Sequence, residues 1–252
     1  MFYTFETIQK MKKLLLSILV VTAVNTTANA QLKNILTKAK DKITAGKSGS
    51  LGASEIGSAL KEALNKGVTE QVTKLTAEDG FYKNEAVKIL LPEELQKVDK
   101  KLRQVGMASL ADQGIKVLNR AAEDAVKEGT PIFVNAITSM TLTDAKGILM
   151  GADNSATTYL QKSTPTPLYA KFSPVVKTSL SNVGADAVWA KIIAKYNTLP
   201  LVTKVNPDLT DYVTNKTMDG VFKMIAVEEK NIRTNTAFRT TDLLKKVFAM
   251  QD

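Results

Sequence analysis

The sequence predicts an all-α protein organised as a single compact multi-helix bundle, and three observations carry that expectation. Apolar residues recur every three or four positions along most of the chain, the spacing of one helical face. Proline and glycine fall at the starts and ends of those stretches, with short turns between them. No segment alternates strand with helix as a nucleotide-binding α/β unit does, and no internal repeat is visible.

The first helix of the bundle is expected to begin at Ser54, a good N-cap. It carries Ile56, Leu60, Leu64, Val68, Val72 and Leu75 on one stripe. Residues 80–84 end that unit, and 87–91 form one short extended segment with strand character. Pro92 suits the first turn of the next helix, with Leu95, Val98, Leu102 and Val105 inward and Gly106 as terminator. A long helix over about 109–128 then buries Leu110, Ile115, Leu118, Ala122 and Ala125 and stops at Gly129. Pro131 restarts a helix through Phe133 and Ile137, and Thr143 with Asp144 caps a short one ending at Gly151.

Pro165 and Pro167 introduce a helix through Leu180 that carries Pro174 and is therefore expected to be bent or split. A helix over 186–196 with Trp189, a loop over 200–207, a long helix from Asp208 to about Arg233 and a last one capped by Thr240 or Thr241 complete the series.

Composition removes whole classes of chemistry. The 252 residues include no cysteine and no histidine. Disulfides, zinc sites built on thiolate or imidazole, and the common haem and iron–sulfur ligations are therefore out of reach. So are the Ser-His-Asp and Cys-His arrangements, which need an imidazole that exchanges protons near neutrality. No cofactor is implied. Any enzyme reading must run on carboxylate, lysine, tyrosine or serine.

Residues 11–30, MKKLLLSILVVTAVNTTANA, have the pattern of a secretory signal peptide: two lysines, an apolar run, and small residues at Ala28 and Ala30. The apolar run is shorter than the roughly twenty residues a spanning helix needs. The expectation is a start at Met11, export to the periplasm or outside the cell, and a mature chain from Gln31 with no transmembrane segment.

Removing residues 1–30 lowers the formal charge from +9 to +7, and residues 31–50 hold +4 of it. In 31–45, Leu32, Ile35, Leu36, Ala39 and Ile43 share a helical face opposite Lys33, Lys38, Lys40 and Lys42. This basic amphipathic helix either docks on the protein with a solvated lysine face or touches an anionic membrane surface through 32–47. A linker over 46–53 follows, and the helical domain occupies 54–252. The Gly46-Lys47-Ser48 triplet lacks the earlier glycine and strand of a phosphate loop. Beyond residue 50 the chain is nearly balanced at +3, and its aromatic residues do not interleave with basic ones, so no nucleic-acid partner is expected.

Polar residues able to carry chemistry are few. Ser58 and Lys61 match S-x-x-K without the companion motifs of penicillin-recognising enzymes, a pattern expected about once by chance in such a chain. Asn119 and Glu123 share a helical face with Arg120 beside them, and Glu229 and Arg233 are an i, i+4 pair. Such pairs ordinarily make salt bridges worth a few tenths of a kcal/mol. Drawn together in the interior, they would instead form a buried polar network or an oxygen site for a hard cation, and spacing does not decide between these.

Several blocks resemble one bacterial family of exported proteins. They are Asp79-Gly80-Phe81-Tyr82-Lys83-Asn84, Ile89-Leu90-Leu91-Pro92, Asn119-Arg120-Ala121-Ala122-Glu123, Pro131-Ile132-Phe133, Asp144-Ala145, Tyr212-Val213-Thr214, Asp219-Gly220, Glu229 with Arg233, and Arg239-Thr240-Thr241. The family is known as domain of unknown function 4197, and the likeness runs from about Ser54 to Phe248. It departs near Thr236, where the family pattern has proline. The resemblance implies a helical exported bacterial protein and brings no activity, cofactor or metal. Its blocks contain Asn119, Arg120, Glu123, Glu229 and Arg233, singled out by spacing, and add Asp144, Tyr212 and Asp219. The candidate site residues are Asn119, Arg120, Glu123, Asp144, Tyr212, Asp219, Glu229 and Arg233.

Two functions fit these observations. One is a non-enzymatic envelope protein that binds a small apolar ligand, a lipid or a partner protein in an inter-helix groove. The other is a carboxylate-dependent hydrolase or lyase, with or without a divalent cation, using Glu123, Asp144 and Glu229.

Overall fold

Every third or fourth residue of the stretch beginning at Ala53 is small or apolar, and in the computed structural model this stretch forms helix α1, Ala53–Thr76. The structure describes residues 52–250 except 105, 107, 183–189, 191–193, 195–196, 199–203 and 205–207. The expected signal peptide, the basic helix over 31–45 and most of the linker lie outside the described residues, as do most of the helix over 186–196 and of the loop after it. The chain divides into two units, Met1–Leu51 and Gly52–Asp252, and the second is the one described.

After α1 come α2 Glu93–Gln104, α3 Ala108–Val126, α4 Thr130–Thr138, α5 Leu142–Leu149, α6 Ser155–Ser163, α7 Pro165–Asn182 and α8 Thr210–Thr234. A 3₁₀ turn, Thr236–Phe238, leads into α9, Asp242–Phe248. The described unit is all-α, with no strand among the described residues. Two long helices are its hubs. Helix α1 packs on α3, α4, α5, α8 and α9, and α8 packs on α1, α3, α6 and α7. The centrality of α8 shows in its composition: polar Thr214, Thr217, Glu228, Glu229 and Arg233 are buried with Val213, Val221, Phe222, Ile225 and Ile232. Phe222 meets Phe133 of α4 edge to face at 6.1 Å, a favoured aromatic geometry.

Helix ends differ in detail from those expected. Ser54 is not the N-cap of α1, because Glu55 reaches back to accept the Gly52 N–H at 2.9 Å and starts the helix two residues earlier. Helix α5 is capped by Thr141, whose hydroxyl accepts from the Asp144 N–H while Asp144 accepts the Thr141 N–H, a reciprocal capping box. Pro92 precedes α2, where its carbonyl accepts from Leu95 and Gln96. Leu95 is buried and Val98 half-buried, whereas the side chains of Leu102, Val105 and Leu110 lie outside the described residues. Ile115 of α3 is half-buried, and Thr241 caps α9.

Helix α7 is not split at Pro174. Proline removes a donor to Ala170, but both residues face solvent, where water can take the freed carbonyl. The buried stripe Leu168, Phe172, Val176 and Leu180 runs past them unbroken. Helix α6 is an element that the sequence reading leaves out.

Between α1 and α2 the chain makes a tight turn at Asp79, with φ of +66°, and Gly80, where a Cβ would lie 2.5 Å from the Leu75 carbonyl oxygen. The turn delivers the fully buried Phe81 ring against α8. There a Cβ on Gly220 would sit 2.8 Å from Phe81 Cε1 and 3.3 Å from Val87 Cβ, so only glycine admits both. Gly220→Ala is expected to destabilise the protein by about 1–3 kcal/mol through overpacking, against the usual helical preference for alanine. Gly147→Ala in α5, where nothing lies within 4 Å, is expected to stabilise it by about 0.5–1 kcal/mol. Urea unfolding of the two variants beside the parent reads both signs.

Candidate functional site

Helix α3 places Asn119 and Glu123 one turn apart, facing the segment that joins α1 to α2. The Asn119 carboxamide accepts the Ile89 N–H at 2.8 Å and donates to the Ile89 carbonyl at 2.8 Å, with a second donation to Ile115. One side chain thus pairs with Ile89 as a neighbouring strand would. This explains why the extended residues 88–92 need no strand beside them. Glu123 accepts the N–H groups of Phe81 and Tyr82 at 3.0 and 3.3 Å and also pairs with Arg120. Arg120 continues to Asp79 at 2.6 Å and Glu78 at 3.1 Å, and Asp79 to Lys83 at 2.7 Å. The Lys83 ammonium, with Arg120 behind it, holds the Asp79 carboxyl below its ordinary range.

A second network lies further along α8. Glu229 accepts the N–H groups of Ala156 and Thr157 at 2.8 Å each, and the Thr157 hydroxyl at 2.8 Å. These are the first free donors of α6, whose own Asn154 makes no side-chain cap. Arg233 binds Glu229 at 2.9 Å and donates to the Ile148 and Leu149 carbonyls at 2.8 and 3.1 Å, at the end of α5. Arg239, 2% exposed, donates to the Ile232 and Arg233 carbonyls at the end of α8. Both guanidinium groups lie 5.9 Å from the Phe248 ring centre, which ties α9 to the same knot.

The candidate residues therefore separate into groups. Asn119, Arg120 and Glu123 form one network and Glu229 and Arg233 another. Asp144 stands apart in its exposed capping box, where the Thr141 hydroxyl and N–H lower its pKa. The carboxylate oxygens of Glu123 and Glu229 are taken up by N–H, hydroxyl and guanidinium donors. Among the described residues no group of three or more acidic side chains is placed to hold a metal ion. Ser58 and Lys61 are bonded to the Ser54 and Thr138 carbonyls respectively and not to each other.

Tyr212 and Asp219 occupy a different place. They line an open groove of about 630 Å³ between the 86–92 segment and α8. Tyr212, Lys216, Asp219 and Lys223 form one stripe of α8, at i, i+4, i+7 and i+11. Tyr212 Oη donates to the Leu90 carbonyl at 2.8 Å and Lys223 Nζ to the Ala86 carbonyl at 2.8 Å, so the two walls are laced together. The Leu90 side chain is 53% exposed. Lys216 reaches Asp219 at 3.9 Å, and Lys88 lies 5.0 Å from the Tyr82 ring centre. The lining holds Lys88, Lys216 and Lys223 against Glu93 and Asp219, an excess of one positive charge. Sequence reasoning missed Leu90 and the three lysines. The stripe on α8 was readable in the spacing, but the opposite wall is set by Asn119 across the fold.

The family model described as "Protein of unknown function (DUF4197)" matches residues 50–249. The chain belongs to the DUF4197 family. No match was found among curated proteins or solved structures. Both polar networks and the groove lie within the DUF4197 region. No helix among the described residues is long and apolar enough to cross a membrane.

Removing Glu229 takes away the buried carboxylate 2.9 Å from the Arg233 guanidinium and the cap at the start of α6. Glu229→Ala is expected to destabilise the DUF4197 domain by about 3–5 kcal/mol. Asn119→Ala orphans both polar groups of Ile89 and is expected to destabilise by about 2–3 kcal/mol. Asp144→Ala, at an exposed cap, has a much smaller effect, and chemical denaturation ranks the three.

Acid sensitivity follows from Asp79, Asp144 and Asp208, whose folded pKa values are all lowered, the last chiefly by the Thr210 hydroxyl. In each case the unfolded chain binds the proton more tightly. Their stabilisation is complete above the unfolded carboxylate value near ~3.9 and is lost as pH falls through the depressed folded values. Urea midpoints are expected to be flat between about pH 5 and 7 and to fall below about pH 4, with a shallower fall in Asp144→Asn.

Proposed function

We propose that this protein is an exported, non-enzymatic binding protein that holds a ligand with an apolar part and an anionic part in the groove between residues 86–92 and α8. The observation that carries the reading is the composition of that groove. An exposed leucine and a tyrosine share the groove with Lys88, Lys216 and Lys223, of which Lys216 has only a 3.9 Å pairing with Asp219, and the 86–92 wall is fixed from behind by Asn119. A recess with an apolar surface and a few convergent charges is what an amphiphile's recognition requires. The acidic residues a catalytic reading needs are, in contrast, engaged with protein donors.

Export is supported by the pattern of residues 11–30, and a peripheral contact with an anionic membrane surface by the basic amphipathic stretch 32–47. An amphiphilic ligand from the cell envelope is compatible with both.

The purified protein is expected to carry lipid or fatty acid detectable by mass spectrometry after organic extraction. It is also expected to bind vesicles containing phosphatidylglycerol at low salt, with binding weakened as salt rises. The double change Lys216→Glu and Lys223→Glu, at exposed positions, should lower that binding by roughly tenfold or more, about 1.4 kcal/mol. Absence of extractable lipid together with vesicle binding unchanged by the double variant would overturn the reading.

A further inference from the structure

On the far side of α1 from its packing with α4 and α5, a smaller cavity of about 130 Å³ opens between α1, the end of α8 and the 3₁₀ turn. It shares no lining residue with the groove. Its volume equals that of about four water molecules at ~30 Å³ each. Glu228 lines it and is 6% exposed. Among the described residues the carboxylate has one hydrogen bond, from Gln71 Nε2 at 2.8 Å, and no ion pair. Gln71 is itself 2% exposed, and its Oε1 has no partner.

Glu228 differs in this from the other buried carboxylates. Glu123 and Glu229 each have backbone N–H groups and an arginine, whereas Glu228 and Gln71 form a buried pair in which acceptors outnumber donors. A buried carboxylate is tolerated when a cation or several donors compensate it. Among the described residues no lysine or arginine pairs with Glu228. Lys66 is bonded to the Thr240 hydroxyl at the rim, and Lys74 lines the mouth with its charge in solvent. The rim carries Lys66, Glu70 and Lys74, one positive charge in excess, above the Glu228 floor, and with the Phe238 ring at the edge this matches a small zwitterion entering with its ammonium first.

We propose that this cavity is a binding site for a primary ammonium group that carries an anionic group a few bonds away. The ammonium would take Glu228 as counter-ion, and the anionic group would face Lys66 and Lys74 at the rim. A free phosphoethanolamine-like zwitterion and the head of a phosphatidylethanolamine lipid share this chemistry. Gly67 leaves the room for it: a Cβ there would lie 3.4 Å from Glu228 Cγ and would narrow the floor without a clash.

Isothermal titration of the purified protein with O-phosphoethanolamine tests the proposal, with phosphocholine as the probe that keeps the phosphate and lacks every N–H donor. O-phosphoethanolamine is expected to bind, phosphocholine to bind roughly tenfold more weakly or worse, and Glu228→Gln to lose about the same factor. Glu228→Gln keeps the shape and the Gln71 contact. Should it fail to fold, Gly67→Ala, on a helix that favours alanine, is expected to weaken binding by filling the floor. Retention on vesicles of phosphatidylethanolamine mixed with phosphatidylcholine, and not on phosphatidylcholine alone, assigns the lipid head as the source. Binding of the soluble probe without such retention assigns a free zwitterion. No heat with O-phosphoethanolamine, or equal affinity for phosphocholine, overturns the proposal whatever the groove binds.

Discussion

One turn of α8 holds the ends of two other helices. Every helix leaves donors unmet at its start and acceptors unmet at its end, and a helix of eight or nine residues has few internal bonds to offset them. Helices α5 and α6 are of that length. Glu229 meets the first donors of α6 and Arg233 the last acceptors of α5, while the two side chains neutralise each other at 2.9 Å. Burying either charge alone would be costly by several kcal/mol. Together, bonded to each other and to the backbone of both neighbours, they tie the end of α5 and the start of α6 to the central helix. The core residues Ile148, Leu149, Ala156 and Leu160 are buried on the two helices so held.

The same solution recurs at the opposite side of the central helix. Residues 77–92 are a connection with little secondary structure of its own, yet Phe81, Val87, Ile89 and Leu91 are buried. Burying apolar side chains from irregular backbone exposes the fold to unmet N–H and C=O groups, each worth about 1–3 kcal/mol if left bare. Asn119 and Glu123 meet those of Ile89, Phe81 and Tyr82. A chain without cysteine cannot pin such a segment by a disulfide. Two polar side chains on one face of α3 do so by hydrogen bonding, and the groove owes its fixed wall to them.

The all-α class was legible because helical periodicity is a local property: α1, α3 and α8 follow from their own apolar stripes. What was not legible depends on residues distant in sequence. Helix α6 was missed because its residues, SATTYLQKS, carry no strong stripe and its cap comes from Glu229, seventy-three positions away. The 87–91 segment was expected to have strand character; no strand forms there, Val87 and Lys88 close a turn onto Asn84, and Ile89 pairs with an asparagine side chain on a helix, which spacing could not show. Pro174 suggested a break because proline chemistry is local, whereas its harmlessness depends on which face of α7 meets solvent. Among the candidate residues, the pairing of Glu229 with Arg233 and the shared face of Asn119 and Glu123 were visible in the spacing. That they act on backbone, and that Arg239 is buried rather than solvated, could be learned only from the packing.

The distribution of charge over these tasks bears on the kind of ligand the fold can take. Acidic groups directed at N–H donors and arginine have their lone pairs occupied, which makes them poor bases and poor ligands for a hard cation. On the groove Lys88, Lys216 and Lys223 exceed Glu93 and Asp219 by one charge, and a lysine ammonium near an apolar surface attracts anions without forming or breaking bonds. Such attraction falls with ionic strength over a Debye length of about 8–10 Å, so the recognition proposed for the groove would draw its salt-resistant part from apolar contact. Leu90 and the Tyr212 ring supply that contact. A ligand that is anionic but lacks an apolar portion would be held weakly there, and one that is apolar alone would leave the lysines unanswered. The amphiphile of the proposed function is the class that would satisfy both walls.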